Sequence, residues 1–273
     1  MDAPLRVLVF GAHPDDADIN CGGLALKYSS QGHIVKFVSC TNGATGHFGI
    51  GGIELARRRY LEAQESAKIA NLSEYQILDW HTGELEPTVV NRKVIIKIIR
   101  DFKPDLIITH RPNDYHPDHR YTSQLVQDAS YIITVPNMLP LTDIVTKTPV
   151  ICYMHDTFQK PYPFRPDVVV SIDNVVDKKV AMLHCHESQM YEWLPYNRGI
   201  LDQVPASDDD RRNWLKEHYD LVWMKMADFY RQRLVELNGS EKGTAIRYAE
   251  AYEICEYGAA LSDEDMRRLF PFS

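Results

Sequence analysis

His13, Asp15 and Asp16 stand together just after the apolar run Val7-Leu8-Val9-Phe10, in a turn that reads Gly11-Ala12-His13-Pro14-Asp15-Asp16-Ala17-Asp18. One imidazole and three carboxylates at the end of a strand are more negative charge than packing requires. A single aspartate suffices to cap a helix and meet its positive end, so the rest call for a positive partner. His13 and Asp16 are three apart across a proline, which lets a tight turn aim both at one point and leaves Asp15 facing whatever sits there. A divalent cation is the simplest such partner, and His with Asp suits zinc or another borderline metal. A second polar cluster, His110-Arg111-Pro112-Asn113-Asp114-Tyr115-His116-Pro117-Asp118-His119, also follows an apolar strand, Leu106-Ile107-Ile108-Thr109. At the carboxyl ends of neighbouring parallel strands the two clusters meet in the crevice where doubly wound sheets bind ligands.

That meeting supplies His13, Asp16 and one of His116 and His119 as ligands. Two histidines and a carboxylate leave a coordination position open, the mark of a catalytic zinc site. Zinc brings the pKa of bound water toward ~7, and Asp15 is the base that takes the proton. The remaining histidine of the pair is a donor for the oxyanion of an attacked carbonyl, with Asp118 holding that imidazole protonated and oriented. Spacing leaves open which histidine does which.

The elements around these clusters alternate strand and helix. Strands are expected at 7–10, 34–40, 75–78, 106–109, 150–154 and 168–172, and helices at 24–30, 53–71, 89–102, 119–133, 175–191 and 211–237. Residues 248–253 read as extended and 263–269 as a short terminal helix. The expected fold is α/β and Rossmann-like, a mostly parallel sheet with helices on both faces and a helical C-terminal extension. Its boundaries are a single domain over 1–273, with core sheet and metal site in 1–172 and an extension packed on it in 173–273. The glycine-rich loop through Gly46, Gly49, Gly51 and Gly52 reads equally as a connector or a substrate-facing lid. Among Arg57, Arg58 and Arg59, one arginine could turn inward as a ligand clamp. The run His184-Cys185-His186 is not a metal site, because adjacent helical residues diverge; a pocket-facing His186 is the most it offers. The segment 195–237, with Trp214, Trp223 and Met226, shapes one side of the pocket or an oligomer contact.

Bulk composition agrees. Hydrophobic residues make up 44% and charged residues 25% of 273, ordinary for a globular chain. A formal net charge of -8 without a basic stretch argues against nucleic acid. Five cysteines with no CxxC pair suit a reducing, cytoplasmic setting, and neither a signal peptide nor a membrane-spanning run is expected.

Ala12-His13-Pro14-Asp15-Asp16 together with His116-Pro117-Asp118-His119 resembles the PIG-L/LmbE-type zinc-dependent N-deacetylases, which act on N-acetylglucosaminyl-phosphatidylinositol, on mycothiol and bacillithiol precursors and on antibiotics. Cys21-Gly22-Gly23, Thr41-Asn42-Gly43 with Gly46, Arg59 with Glu62, His186-Glu187-Ser188-Gln189 and Tyr248-Ala249-Glu250-Ala251 extend the resemblance in the family's order. It implies His13, Asp16 and His119 as metal ligands, Asp15 as general base, and His116 paired with Asp118 as acid and oxyanion partner. It further implies Arg59 as a binder of substrate hydroxyls and an N-acetylated amino sugar as the small-molecule substrate. Zinc is the implied metal, with Fe2+ or Mn2+ as alternatives, and a homo-oligomer is possible. Ala17-Asp18 departs from the glutamate that many members carry after the two aspartates, which bears on substrate choice. Rival readings are a non-haem iron(II) enzyme, a metal-dependent sugar-binding module without turnover, and a nucleotide-binding domain. Asp15 beside the ligands opposes the first, a retained base and acid the second, and the missing GxGxxG the third.

Overall fold

The computed structural model describes residues 3–272. Its strands are β1 (Arg6–Gly11), β2 (Ile34–Thr41), β3 (Glu74–Trp80), β4 (Leu106–Thr109), β5 (Val150–Met154), β6 (Val168–Ser171) and β7 (Ala249–Cys255). They form one sheet in the order β3-β2-β1-β4-β5-β7-β6. The first five run parallel, and β7 runs antiparallel to both β5 and β6. The helices are α1 (Asp16–Ser30), α2 (Gly52–Ala70), α3 (Val89–Phe102), α4 (Pro117–Ser130), α5 (Val176–His184), α6 (Leu194–Asn197), α7 (Asp208–Phe229), α8 (Arg231–Asn238), α9 (Ser240–Ala245) and α10 (Asp263–Leu269).

The unbroken apolar run of β1 follows from burial on both faces. Val7 and Val9 join one core with Leu24, Ala63, Val180 and Trp223, while Leu8 and Phe10 join the other with Ile95, Ile99, Leu125 and Val126. A strand covered by helices on both sides has no face for a polar residue. The strand order reverses between β1 and β4, so the crevice of a doubly wound sheet opens at their carboxyl ends. Both polar clusters leave the sheet there.

Four elements differ from the sequence expectation. Helix α1 begins at Asp16, not at Leu24, and encloses Gly22 and Gly23. Gly23 is there for close approach: a Cβ on it would lie 2.5 Å from Ile172 Cγ2, and the carboxylate of Glu250 accepts from Gly23 N and Leu24 N, both at 2.8 Å. The same carboxylate accepts from Lys179 Nζ at 2.5 Å and from the Tyr252 hydroxyl at 2.8 Å. The expected helix 175–191 breaks after His184, and 188–193 forms a π-helical turn, because Ser188 is drawn to Glu62 through its N–H (3.0 Å) and hydroxyl (2.5 Å). The expected helix 211–237 is two helices, parted at Tyr230, whose ring packs on His155 and Phe164. Finally, the sheet does not end at residue 172. Residues 249–255, assigned by sequence to the extension, insert as β7 between β5 and β6, a pairing of distant segments that no local pattern encodes. No described helix is long and apolar enough to cross a membrane.

Candidate metal centre and active site

The β1–α1 turn is drawn tight by Asp15 N and Asp16 N, which donate to His13 O at 2.9 and 3.3 Å. Asp16 Oδ2 folds back to accept from Ala12 N (3.0 Å) and His13 N (2.7 Å), which locks its side chain at the mouth of the crevice. Pro117 opens α4, and His116 caps it by accepting from Asp118 N at 3.2 Å, so the next turn aims His119 at Asp16. Three donor atoms then form a triangle. His13 Nδ1 lies 3.3 Å and His119 Nε2 3.5 Å from Asp16 Oδ2, and the two nitrogens are 3.3 Å apart.

Those three distances test the fit of a metal. Ligand bonds of ~2.1 Å arranged tetrahedrally put donor atoms ~3.4 Å apart, so His13, Asp16 and His119 fit a zinc-sized divalent cation. The far nitrogens agree. His13 Nε2 faces Asp118 Oδ2 at 3.2 Å and His119 Nδ1 faces Asp114 Oδ2 at 3.0 Å, so each ring donates its proton to a carboxylate and turns its lone pair to the centre. Electrostatics point the same way. Burial alone would raise Asp16, but His119, His13 and His110 outweigh it and hold the carboxyl well below its usual range. Burial opposes charge on His13, yet Asp16 and Asp118 raise it to about 9. The cluster carries excess negative potential.

His110 is a member of this cluster that sequence reasoning left without a role. It lies at the end of β4, stacks on His119 with centroids 4.0 Å apart and approaches Asp16 Oδ2 at 3.2 Å. Its Nε2 also lies 3.1 Å from Ala12 N, and Asp16, His110 and His119 make a second group of donor atoms close enough together to hold a cation. Asp114 was also missed. Its position three residues before Pro117 carries no signal by itself, because the contact to His119 depends on the turn between them.

Asp15 is buried beside the triangle, and its Oδ1 accepts from Arg59 Nη2 at 2.7 Å. Burial pushes its carboxyl up, Arg59 opposes this, and Asp16 adds to the rise. Arg59 is therefore committed to Asp15: at 2% exposure it is packed beneath Gly43, where a Cβ would fall 2.6 Å from Arg59 Cδ. The positive φ of 78° at Gly43 suits glycine as well.

Two expectations need correcting. Asp118 lies against His13 and not His116: its Oδ2 is 4.0 Å from His116 Nδ1 and instead accepts from Gly83 N at 2.7 Å. Burial, with His13 and His119 nearby, lowers His116 to about 4. His116 is thus neutral, and because its Nδ1 accepts from Asp118 N, its proton sits on Nε2, free to donate. His186 does not face a pocket. It is wholly buried, with Nε2 3.3 Å from Asp18 Oδ1, and that carboxylate accepts hydrogen bonds from Tyr75 (2.9 Å) and Ser66. The glycine loop is tied down: Gly46 O accepts from Gln189 (3.0 Å), and His47 meets Glu192 at 2.7 Å.

This geometry has relatives. The chain is 31% identical over 205 residues to a diacetylchitobiose deacetylase of Thermococcus kodakarensis, covering 71% of this chain and 76% of that one. It is 27% identical over 217 residues to a 4-oxalmesaconate hydratase of Pseudomonas putida, covering 74% and 81%. The solved N,N'-diacetylchitobiose deacetylase of Pyrococcus horikoshii superposes with a TM-score of 0.70 at 25% identity, over 92% of this chain and 84% of that one. The profile of the PIG-L family, described as GlcNAc-PI de-N-acetylase, matches residues 8–130, which hold both polar clusters. With that match and the 31% relative, the chain belongs to the PIG-L family.

Proposed function

We propose that this chain is a cation-dependent amide hydrolase that removes the N-acetyl group from a glucosamine-containing small molecule, with zinc as the cation and Fe2+ or Mn2+ as alternatives for the same donors. The observation that carries the reading is the triangle of His13 Nδ1, Asp16 Oδ2 and His119 Nε2, with edges of 3.3 to 3.5 Å, beside a buried carboxylate. A cation held by these three atoms would supply the Lewis acidity that activates water and polarises an acyl carbonyl. Asp15 takes the proton of the attacking water and passes it to the leaving amine. Its raised carboxyl pKa moves it toward the range useful to a base near neutral pH. Arg59 holds Asp15 in place. His116 donates a hydrogen bond from its Nε2–H to the developing oxyanion and keeps the proton, a task that a neutral imidazole performs.

The deacetylase relatives support an acetamido sugar as substrate. The hydratase relative supports a second reading, addition of water to an unsaturated polycarboxylate, which calls for the same base and cation. Such a substrate needs unpaired guanidinium groups. Arg59 is paired with Asp15, and Arg58 is bidentate to Glu192 at 2.7 Å on each nitrogen; Arg198, whose charge reaches Tyr115, is the guanidinium that this second reading would use. The test is acetate release from a panel of N-acetylglucosamine conjugates by zinc-loaded protein, with Asp15→Asn alongside. Release that disappears in the variant at unchanged metal content is the expected result. Hydration of a dienoate with no acetate from any conjugate would replace this reading with the second.

A further inference from the structure

Tyr115 is the residue at this site with the most uncommitted surface. Its side chain is 72% exposed, yet its ring centroid lies 5.7 Å from that of His116 and 5.9 Å from that of His119, at interplanar angles of 87° and 68°. Half-buried Phe158 backs it at 6.1 Å. The backbone beneath the ring is fixed. Arg120 Nη1 donates to Asp114 O at 2.7 Å and to Tyr115 O at 3.0 Å, and Asp114 Oδ1 accepts from His116 N at 2.9 Å. An aromatic ring kept in water on a rigid turn gains nothing for the fold, since its apolar surface remains unburied.

The geometry points to Tyr115 as the surface on which the pyranose ring of the substrate stacks, and this rests on the deacetylase reading. An acetamide nitrogen is bonded directly to the sugar ring. A carbonyl set against His116 and the His13–Asp16–His119 triangle therefore brings the pyranose within one ring's width of Tyr115. One face of a pyranose is lined by C–H groups and complements the face of an aromatic ring, and burying the two against each other removes apolar area from water on both sides. Tyr115 is a binding and specificity residue on this view; it has no part in proton transfer.

The experiment compares wild type, Tyr115→Phe and Tyr115→Ala, all metal-loaded, on methyl N-acetyl-β-glucosaminide. Two readouts are taken: KM and kcat for acetate release, and saturation-transfer NMR from protein aromatic protons to the sugar ring protons. Tyr115→Phe is expected to match wild type within about twofold in both. Tyr115→Ala is expected to raise KM about five- to tenfold with kcat within about twofold, the scale of one lost aromatic contact, and to lose the saturation of the ring protons. Unchanged KM and unchanged saturation in Tyr115→Ala overturn the proposal, as does a change of oligomeric state with KM unchanged. Failure of the hydrolytic reading looks different. Wild type would then release no acetate, and Tyr115-dependent saturation would still support stacking while its absence would refute it.

Discussion

Asp118→Asn separates two roles for one carboxylate. Asp118 is fully buried, and its Oδ2 takes hydrogen bonds from His13 Nε2 at 3.2 Å and Gly83 N at 2.7 Å. An asparagine keeps the volume and one acceptor oxygen but removes the charge. A hydrogen bond to a charged group contributes about 1.5–3 kcal/mol and a neutral one about 0.5–1.5, so the bond to His13 weakens by about 1–1.5 kcal/mol. With no solvent at the side chain to screen it, that loss passes to the orientation and basicity of His13. At 1.4 kcal/mol per decade it predicts a roughly tenfold loss of metal affinity, at the low end of the 10–100-fold range for partners of metal-bound histidines. The assay is zinc affinity by competition with a chromophoric chelator, with kcat measured separately at saturating zinc. Asp114→Asn, which acts on His119 through the 3.0 Å contact, is the internal comparison and is expected to show a similar loss. If Asp118→Asn binds zinc as tightly as wild type and loses only kcat, Asp118 acts through His116 after all, and the triangle is not tuned from behind His13.

Three further outcomes follow from buried charges. Arg59→Gln leaves the Asp15 carboxylate without its counter-charge at a site with 2% and 7% side-chain exposure; a loss of about 3–5 kcal/mol is expected, read as a lower urea midpoint, and an unchanged midpoint would refute it. Lys179→Met strands Glu250, which keeps its bonds to Gly23, Leu24 and Tyr252; the cost should lie near the low end of that range, lowering Tm by roughly 6–12 °C at about 2–4 °C per kcal/mol, and a Tm within 2 °C, the shift of about 1 kcal/mol or less, would contradict it. His155 is held neutral by burial and by Arg111, which lower it to about 4 from 6.5. The unfolded chain therefore binds this proton more readily, so stability falls as pH drops from 6.5 toward 4 and levels off below. His155→Gln should flatten the stability curve over that window, and identical slopes in wild type and variant would rule His155 out as the cause.

The parts of this molecule legible in sequence were those encoded locally. Val7–Phe10 and Leu106–Thr109 announce buried parallel strands because two covered faces demand unbroken apolar runs, and each strand delivers its polar cluster at the edge where ligands bind. The donor types in the clusters narrow the chemistry to a divalent cation. What sequence missed depends on distant partners. His13 and Asp118 are 105 residues apart, so nothing local says that the carboxylate serves His13 and not the imidazole two residues before it. His186 reads as a pocket residue from its polar neighbours, whereas Asp18, brought in on α1, buries it. Gly22 and Gly23 suggest a break, yet both lie within a helix, and at Gly23 a side chain is ruled out by Ile172 and by Glu250 on β7, which pass too close.

Glu250 gives the fold an order of assembly. It is carried by a strand near the end of the chain, yet it grips the middle of α1, whose first residue is Asp16. The residues of the triangle precede β7 by more than a hundred positions, so the carboxylate that accepts from Gly23 N and Leu24 N reaches α1 only after they have been made. Contacts of such long sequence separation form late and slowly. The helix that opens with Asp16 is therefore fully held only once β7 has taken its place between β5 and β6, so the order in which the sheet closes is also the order in which that end of the site becomes rigid.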